Sequence, residues 1–269
     1  MDDPVSVLDE LVAHVRAARK YRSVSPEVIR TIGRLELSRR RNPAEAVKTT
    51  KRRLHQIAGA YWPAGMPVDR WLGELCAAEA ASLGQTCRSI MVDHASTRER
   101  LPFLEEFYRT LMGDIGPIRS VLDIGCGLNP LSLPWMPVAA DCTYHACDIY
   151  EDLAGMLDLF FKRAEVRGRA GTWNALHPAP VEKVDVALLL KLLPCLEQVA
   201  HHASEELLQA LPARFLVVSF PLHSLGGRRD KGMRENYEER FLRIAESRSW
   251  RVERFVFPTE LVFRVGTNP

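Results

Sequence analysis

The residues with the clearest chemistry are Asp123-Ile124-Gly125-Cys126-Gly127, which follow the apolar run Ser120-Val121-Leu122. Glycines at the end of a strand let the backbone approach a ligand closely. Asp148 closes the next apolar segment, 25 residues after Asp123. A carboxylate placed there can accept hydrogen bonds from both hydroxyls of a ribose. Two nucleoside ligands compete for such a pattern. A dinucleotide wants GxGxxG, with its pyrophosphate on a glycine turn at a helix N-terminus. Counting from Gly125, the third glycine falls at position 130, which is Pro130. An acid two residues before Gly125 also suits a cationic sulfonium better than a pyrophosphate. The pattern favours a sulfonium methyl donor.

These residues need a scaffold, and the chain alternates strand-like and helix-like segments after about residue 90. Strands are expected at 120–123, 144–148, 170–173, 184–190 and 215–220, with helices at 153–167 and 205–211 between them. Such alternation implies a mainly parallel sheet covered on both faces. Arg251–Phe257 and Glu260–Val265, joined by Pro258-Thr259, read as a closing hairpin that adds an antiparallel strand. The preceding part reads as helical. Ser25-Pro26-Glu27 and Asn42-Pro43-Ala44-Glu45 have the cap, proline and first-turn acid of helix starts. Further helices are expected from Val68 to Ser82 and after Ser96, where Glu99 would complete a capping box. The expected domains are 1–88, basic and helical, and 89–269, α/β.

The net charge of the 269 residues is +2, but it is unevenly spread. From His14 to Ala60 thirteen Lys or Arg stand against three acids. A local surplus of that size points to a polyanion partner; the competing reading is a salt-bridged, solvated helical face. No apolar run is long enough to span a bilayer, and Asp2-Asp3 open the chain without a basic-then-apolar leader, so a cytoplasmic protein is expected. The six cysteines form no CxxC pair and read as reduced core thiols, with no metal site.

Longer stretches carry a more specific resemblance. VLDIGCGLNPL, with HASTRERLPFLEEFY before it and LLLKLLPCLEQ and SFPLHSLGGRRDKGMRENYEERF after it, resembles the aminoglycoside-resistance 16S rRNA guanine-N7 methyltransferases. The resemblance implies a Rossmann-like S-adenosyl-L-methionine-dependent methyltransferase domain preceded by a helical RNA-docking domain. It implies a monomer acting on a decoding-site guanine of 16S rRNA in the 30S subunit. It implies that Arg100 pairs with the methionine carboxylate of S-adenosyl-L-methionine and that His94, Ala95 and Ser96 lie against the cofactor. Gly125 sits in the cofactor loop, Asp148 takes the ribose, and Asn174 and Ala175 contact the adenine, where some relatives have Asp in place of Asn174. Leu190 and Gln198 line the same pocket. Lys191 and Glu197 occupy a motif that supports activity. The basic helices, with Arg39, Arg40, Arg41, Lys51, Arg52 and Arg53, would meet the RNA.

Several of these residues have a second reading. Ser96 could be a helix cap and Arg98 could replace Arg100. Lys191 closes a buried strand, where a cation costs desolvation energy unless it is paired or faces a cleft, and Glu197 is its candidate partner. Guanine N7 is an unprotonated acceptor, so no general acid or base is expected among the residues. Phe220 or Trp173 could stack on an unstacked base. Cys195 follows a proline where pyrimidine-C5 methyltransferases keep a nucleophile, which leaves cytosine C5, adenine N1 or a non-catalytic ribosome-binding role as alternatives.

Overall fold

The computed structural model describes residues 4–40, 42–62, 65–177, 183–200, 202–222 and 231–267, with backbone alone at 4–6 and 231–236. Seven helices come first: α1 (Pro4–Arg16), α2 (Pro26–Arg39), α3 (Pro43–Ile57), α4 (Val68–Ala77), α5 (Leu83–Met91), α6 (Ala95–Arg100) and α7 (Leu104–Met112). The α/β part follows as β1 (Ser120–Ile124), β2 (Thr143–Asp148), α8 (Glu151–Arg163), β3 (Arg167–Thr172), β4 (Val184–Leu190), α9 (Leu193–Glu197), α10 (Ala203–Ala210), β5 (Ala213–Pro221), α11 (Lys231–Ser247), β6 (Arg251–Val256) and β7 (Glu260–Gly266).

The seven strands form one sheet in the order β3-β2-β1-β4-β5-β7-β6. β1 pairs in parallel with both β2 and β4, and the terminal hairpin joins β5 in antiparallel register. The chain therefore leaves β1 in one direction and returns beside it as β4. That reversal opens a crevice at the C-terminal ends of the central strands, where ligands of such sheets bind. Antiparallel pairing has a second consequence. It sets Glu260, the first residue of β7, opposite Pro221, the last of β5. A residue distant in sequence is thereby brought to the crevice end of the sheet.

The expected elements formed with shifts of a few residues at their ends. Asn42 caps α3 through its side chain, which accepts from the Ala44 N–H. Ser25 precedes α2 but makes no side-chain cap bond. Ser96 is not a cap: His94 holds that position and Ser96 lies inside α6. The α11 helix and the α9 turn were not foreseen. α11 is nearly half charged and lacks a strong apolar stripe, and α9 has only five residues. Five cysteines are buried, as expected of core thiols, whereas Cys76 is exposed. Among the described residues no helix is long and apolar enough to cross a membrane.

The helices before β1 share a core with one face of the sheet. One apolar cluster includes Val15, Ile29 and Leu54 from the first helices together with Val121, Tyr144 and Phe160 of the α/β part. The opposite face is covered by α10 and α11 around Leu208, Phe241 and Phe263. Backbone bonds reinforce the first contact: Ser25 N–H donates to the Ile149 carbonyl at 2.8 Å and Glu151 N–H to Ser23 at 2.7 Å. The 88/89 division falls inside α5.

Part of the basic surplus is structural. Glu36 is fully buried on α2 and is met by Arg40 and by Arg53 of α3. Arg53 also donates to the carbonyl of Gln198, beyond α9. Arg39, Lys48 and Arg52 are exposed and make no ion pair among the described residues; Arg41 lies outside the described residues. Losing one partner of a buried charge strands the others. Glu36→Ala should therefore destabilise the fold by about 2–4 kcal/mol, read as a lower urea midpoint, whereas Arg39→Ala should leave it within about 0.5 kcal/mol.

Candidate functional site: a cofactor cleft at the switch point

A cleft opens at the C-terminal ends of β1, β2 and β4. Its floor is the turn after β1. Gly125 and Gly127 have φ of +63° and +50°, the left-handed region that side chains rarely adopt. A Cβ on Gly127 would come within 2.6 Å of the His94 ring, and one on Gly125 within 2.8 Å of Leu192. The glycines are thus required by both conformation and space. Gly127 N–H donates to Asp148 Oδ2 at 2.8 Å, and Ile149 N–H to Oδ1 at 2.7 Å. These bonds hold the carboxylate at the mouth of β2. Burial raises the Asp148 pKa, and the backbone donors work against that rise.

Asp123, the acid whose spacing suits a cationic ligand, does not itself line the cleft. It is buried beneath the turn, where Oδ2 accepts from Tyr144 at 2.7 Å and from Asn129 Nδ2 at 2.9 Å. Burial raises its pKa to about 6. Its hydrogen bond fixes the orientation of the Asn129 amide, whose oxygen then accepts from Tyr108 at 2.5 Å and from Arg100 at 2.9 Å.

Arg100 lines the cleft yet has no exposed side-chain surface. Nε and Nη2 both donate to Glu260, at 2.9 Å each, and Ser96 Oγ lies 3.5 Å from Nη2. A guanidinium has five N–H donors. These contacts leave one on Nη1 for a ligand. The Phe107 ring packs beneath the guanidinium carbon at 4.6 Å. Arg98, the other candidate, is exposed and donates to the Val92 carbonyl.

Lys191 is buried at the end of β4 with φ +58°. Its partner is Glu99 of α6, at 2.6 Å, with Glu260 at 3.7 Å. Glu197 is not its partner. Glu197 instead faces Arg240 of α11 at 2.8 Å and accepts from the Ser204 N–H, so it ties α9 to α10 and α11. Glu99 is likewise no capping-box acid. Sequence reasoning missed Glu260 altogether, because nothing local marks a glutamate at the start of a hairpin strand.

The remaining expected residues divide. His94, Ser96, Asn174, Ala175 and Leu190 line the cleft; Ala95 and Gln198 do not. Asn174 Nδ2 donates to Thr31 of α2 at 2.9 Å, and its oxygen accepts from Leu176 N–H at 3.1 Å. Val28, Ile32, Ile57, Tyr61 and Trp62 complete the wall, so the N-terminal helices close the cleft from above. Trp173 also lines it, whereas Phe220 is packed among Tyr237, Phe241 and Phe263 away from it. Cys195 lines the cleft, but burial pushes its pKa up to about 11 and its thiol is 3.6 Å from the Lys191 carbonyl.

Glu260 is the anion between two buried cations. Burial alone would raise its pKa, and Arg100 and Lys191 more than reverse this, holding it below its ordinary value. A depressed carboxylate contributes stability that is present above its unfolded pKa and lost as pH falls through the folded one. Glu260→Gln should cost about 3–5 kcal/mol at neutral pH, because it removes the carboxylate that takes two N–H groups of buried Arg100 and leaves Lys191 with Glu99 alone. Urea denaturation across pH 3–7 should show the wild-type advantage shrinking toward the acid end.

The family model described as ribosomal RNA methyltransferase (FmrO) matches residues 16–264. A 16S rRNA (guanine(1405)-N(7))-methyltransferase of Micromonospora echinospora is 35% identical, with 97% of each chain covered. One from Frankia casuarinae is 38% identical, over 97% of this chain and 96% of its own. The crystal structure of the 16S rRNA methyltransferase RmtF in complex with S-adenosyl-L-homocysteine superposes with a TM-score of 0.84 at 33% identity, covering 100% of both chains. With its crevice at the switch point and its glycine turn beside Asp148, the chain belongs to the FmrO family of ribosomal RNA methyltransferases.

Proposed function

We propose that this protein transfers a methyl group from S-adenosyl-L-methionine to N7 of a decoding-site guanine of 16S rRNA. It acts as a monomer on the 30S subunit and thereby confers aminoglycoside resistance. The observation that carries this reading is full-length likeness to guanine-N7 16S rRNA methyltransferases, joined to a cleft whose polar groups suit the donor. When bound, S-adenosyl-L-methionine supplies an electrophilic methyl on a sulfonium. Arg100 offers its remaining N–H to a carboxylate, and Asp148 offers two acceptor oxygens to a ribose. His94 and Ser96 flank the carboxylate end, Gly125 and Leu190 the middle, and Asn174 and Ala175 the adenine end. Ala95 and Gln198 adjoin this wall in the chain, next to His94 and Ser96 and to Val199.

Guanine N7 bears no proton, so no base has to remove one. The protein's task is to exclude water and hold the base in line, which can lower a barrier by about 7–11 kcal/mol in the best cases. Lys191 and Glu197 support activity by position, Lys191 at the cleft and Glu197 by anchoring α11. A cytosine-C5 reaction would need Cys195 as a thiolate, and burial holds that thiol protonated.

The helical region, 1–88, docks the RNA and also walls the cofactor cleft of the 89–269 region. Arg39, Lys51 and Arg52 are its phosphate contacts, with Lys48 one helical turn from Arg52 on α3. Arg40 and Arg53 serve the fold through Glu36.

Asp148→Ala should weaken S-adenosyl-L-methionine binding by about ten-fold or more, as loss of a charged hydrogen-bond acceptor predicts, measured by calorimetry. Arg39→Glu with Arg52→Glu should weaken 30S binding and flatten its salt dependence at unchanged cofactor affinity. The decisive measurement is the product. N7 methylation fixes a positive charge on the base and weakens its glycosidic bond, so borohydride and aniline should cut 16S rRNA at one decoding-site guanine. That cut should require both enzyme and donor. Absence of the cut, with methyl incorporated elsewhere, would move the assignment to another base.

A further inference from the structure

The stretch after β4 forms one wall of the cleft, and its only regular element is α9, five residues long. Helices shorter than about 12–15 residues are marginal in water unless packing holds them. α9 has two working faces. Cys195 and Leu196, with Val199 just beyond, line the cleft. Leu193, Pro194 and Glu197 line a separate small cavity on the other side, against Phe220, Tyr237 and Arg240. Whatever fixes the second face therefore sets the position of the first.

Two arginines reach the end of α9 from different elements. Arg53 of α3 donates to the Gln198 carbonyl. Arg240 of α11 brings Nη2 to 2.8 Å from Glu197 Oε2. That oxygen is buried and has no aligned hydrogen-bond donor, so the contact is one between charges rather than a directed bond. Glu197 Oε1 accepts from the Ser204 N–H at 3.1 Å, and the Ser204 hydroxyl donates to the Leu193 carbonyl at 3.2 Å. Those two bonds tie α9 only to its neighbour α10. The ion pair with Arg240 is the one that α9 makes among the described residues, and it leads to a part of the chain fixed on the sheet. Phe241, the next residue, is buried and stacks on Phe263 of β7 with ring centroids 4.7 Å apart. Tyr237, one turn earlier, stacks on Phe220 of β5 at 5.5 Å.

We propose that Arg240 is a positioning residue for the cofactor cleft. Through Glu197 it passes the placement of α11 on the sheet to Cys195, Leu196 and Val199 at the cleft wall. The proposal rests on the methyl-donor reading above and deepens it. It explains how Glu197 supports activity from the far side of α9, without touching Lys191. It also gives α11, none of whose described residues lines the cleft, a share in cofactor affinity.

The test is a double-mutant cycle. Calorimetric Kd values for S-adenosyl-L-methionine, with urea midpoints alongside, would be measured for the wild type, Arg240→Met, Arg240→Lys, Glu197→Gln and the Glu197→Gln/Arg240→Met pair. Methionine keeps an extended side chain without the charge, lysine keeps the charge, and glutamine keeps an acceptor for the Ser204 N–H. Arg240→Met and Glu197→Gln should each raise Kd about five-fold, and the double variant should be no weaker than either, as for two groups acting through one contact. Arg240→Lys should stay within about two-fold of the wild type. If Arg240→Met unfolds, Glu197→Gln set against Arg240→Lys still makes the comparison. Additive losses, or equal weakening by Met and Lys, would give the two residues separate roles. A lowered urea midpoint at unchanged Kd would leave the pair with a part in stability alone. Any of these overturns the proposal. Failure of the wild type to bind S-adenosyl-L-methionine would instead sink the methyl-donor reading.

Discussion

The Arg100 guanidinium and the Glu260 carboxylate lie 2.8 Å apart, each without solvent exposure, and three distant segments meet on that contact. Arg100 ends α6, Glu260 begins β7, and Lys191 leaves β4 in a left-handed conformation to join them. Ser219 of β5 donates its hydroxyl to Glu260 at 2.7 Å and also accepts from the Lys191 N–H. Charges buried this deeply are costly unless every one is paired and hydrogen-bonded. Here the pairing orients a cation at the cleft wall with one donor left over. The strained backbone of Lys191 sits at the same place, as strained residues at ligand sites commonly do. Stability and site geometry therefore depend on one cluster, and the terminal hairpin closes the sheet with the residue that completes it.

A second dependence runs through the helices before β1. They share the apolar core of one sheet face and supply Thr31, Tyr61 and Trp62 to the cleft. Thr31 holds Asn174, and Arg53 holds the Gln198 carbonyl beyond α9. The exposed cations of α2 and α3 lie on the outer surface of those same helices. An RNA docked on that surface would press on the wall of the cofactor cleft, so the two binding events share a structural element. The helical region is a wall of the cleft as well as part of the core beneath the sheet.

The basic surplus shows how composition overstates an interface. Arg40 and Arg53 neutralise Glu36, Arg16 meets Glu151, and Arg30 meets Asp9. These cations stabilise helix packing, which leaves Arg39, Lys48 and Arg52 as a smaller exposed remainder without an ion pair among the described residues. The salt-bridged reading therefore holds for part of the charge run, and the polyanion reading rests on that remainder.

Much of this protein was legible in its residues alone. The parallel sheet, the terminal hairpin, the glycine turn and Asp148 follow from local signals: apolar runs of strand length, glycines after the first, an acid ending the second. These signals depend on neighbours in the chain, and so does the family resemblance that rests on contiguous motifs. Partnerships between distant charges are different. In the sequence Glu197, six residues away, is the candidate partner of Lys191, which instead pairs with Glu99 and Glu260; Asp123 has the spacing of an acid suited to a cationic ligand and lies beneath the turn. Both differences share a cause. A buried ion selects its partner by proximity in space, which strand order and antiparallel pairing determine, and no spacing along the chain records that Pro221 and Glu260 stand side by side.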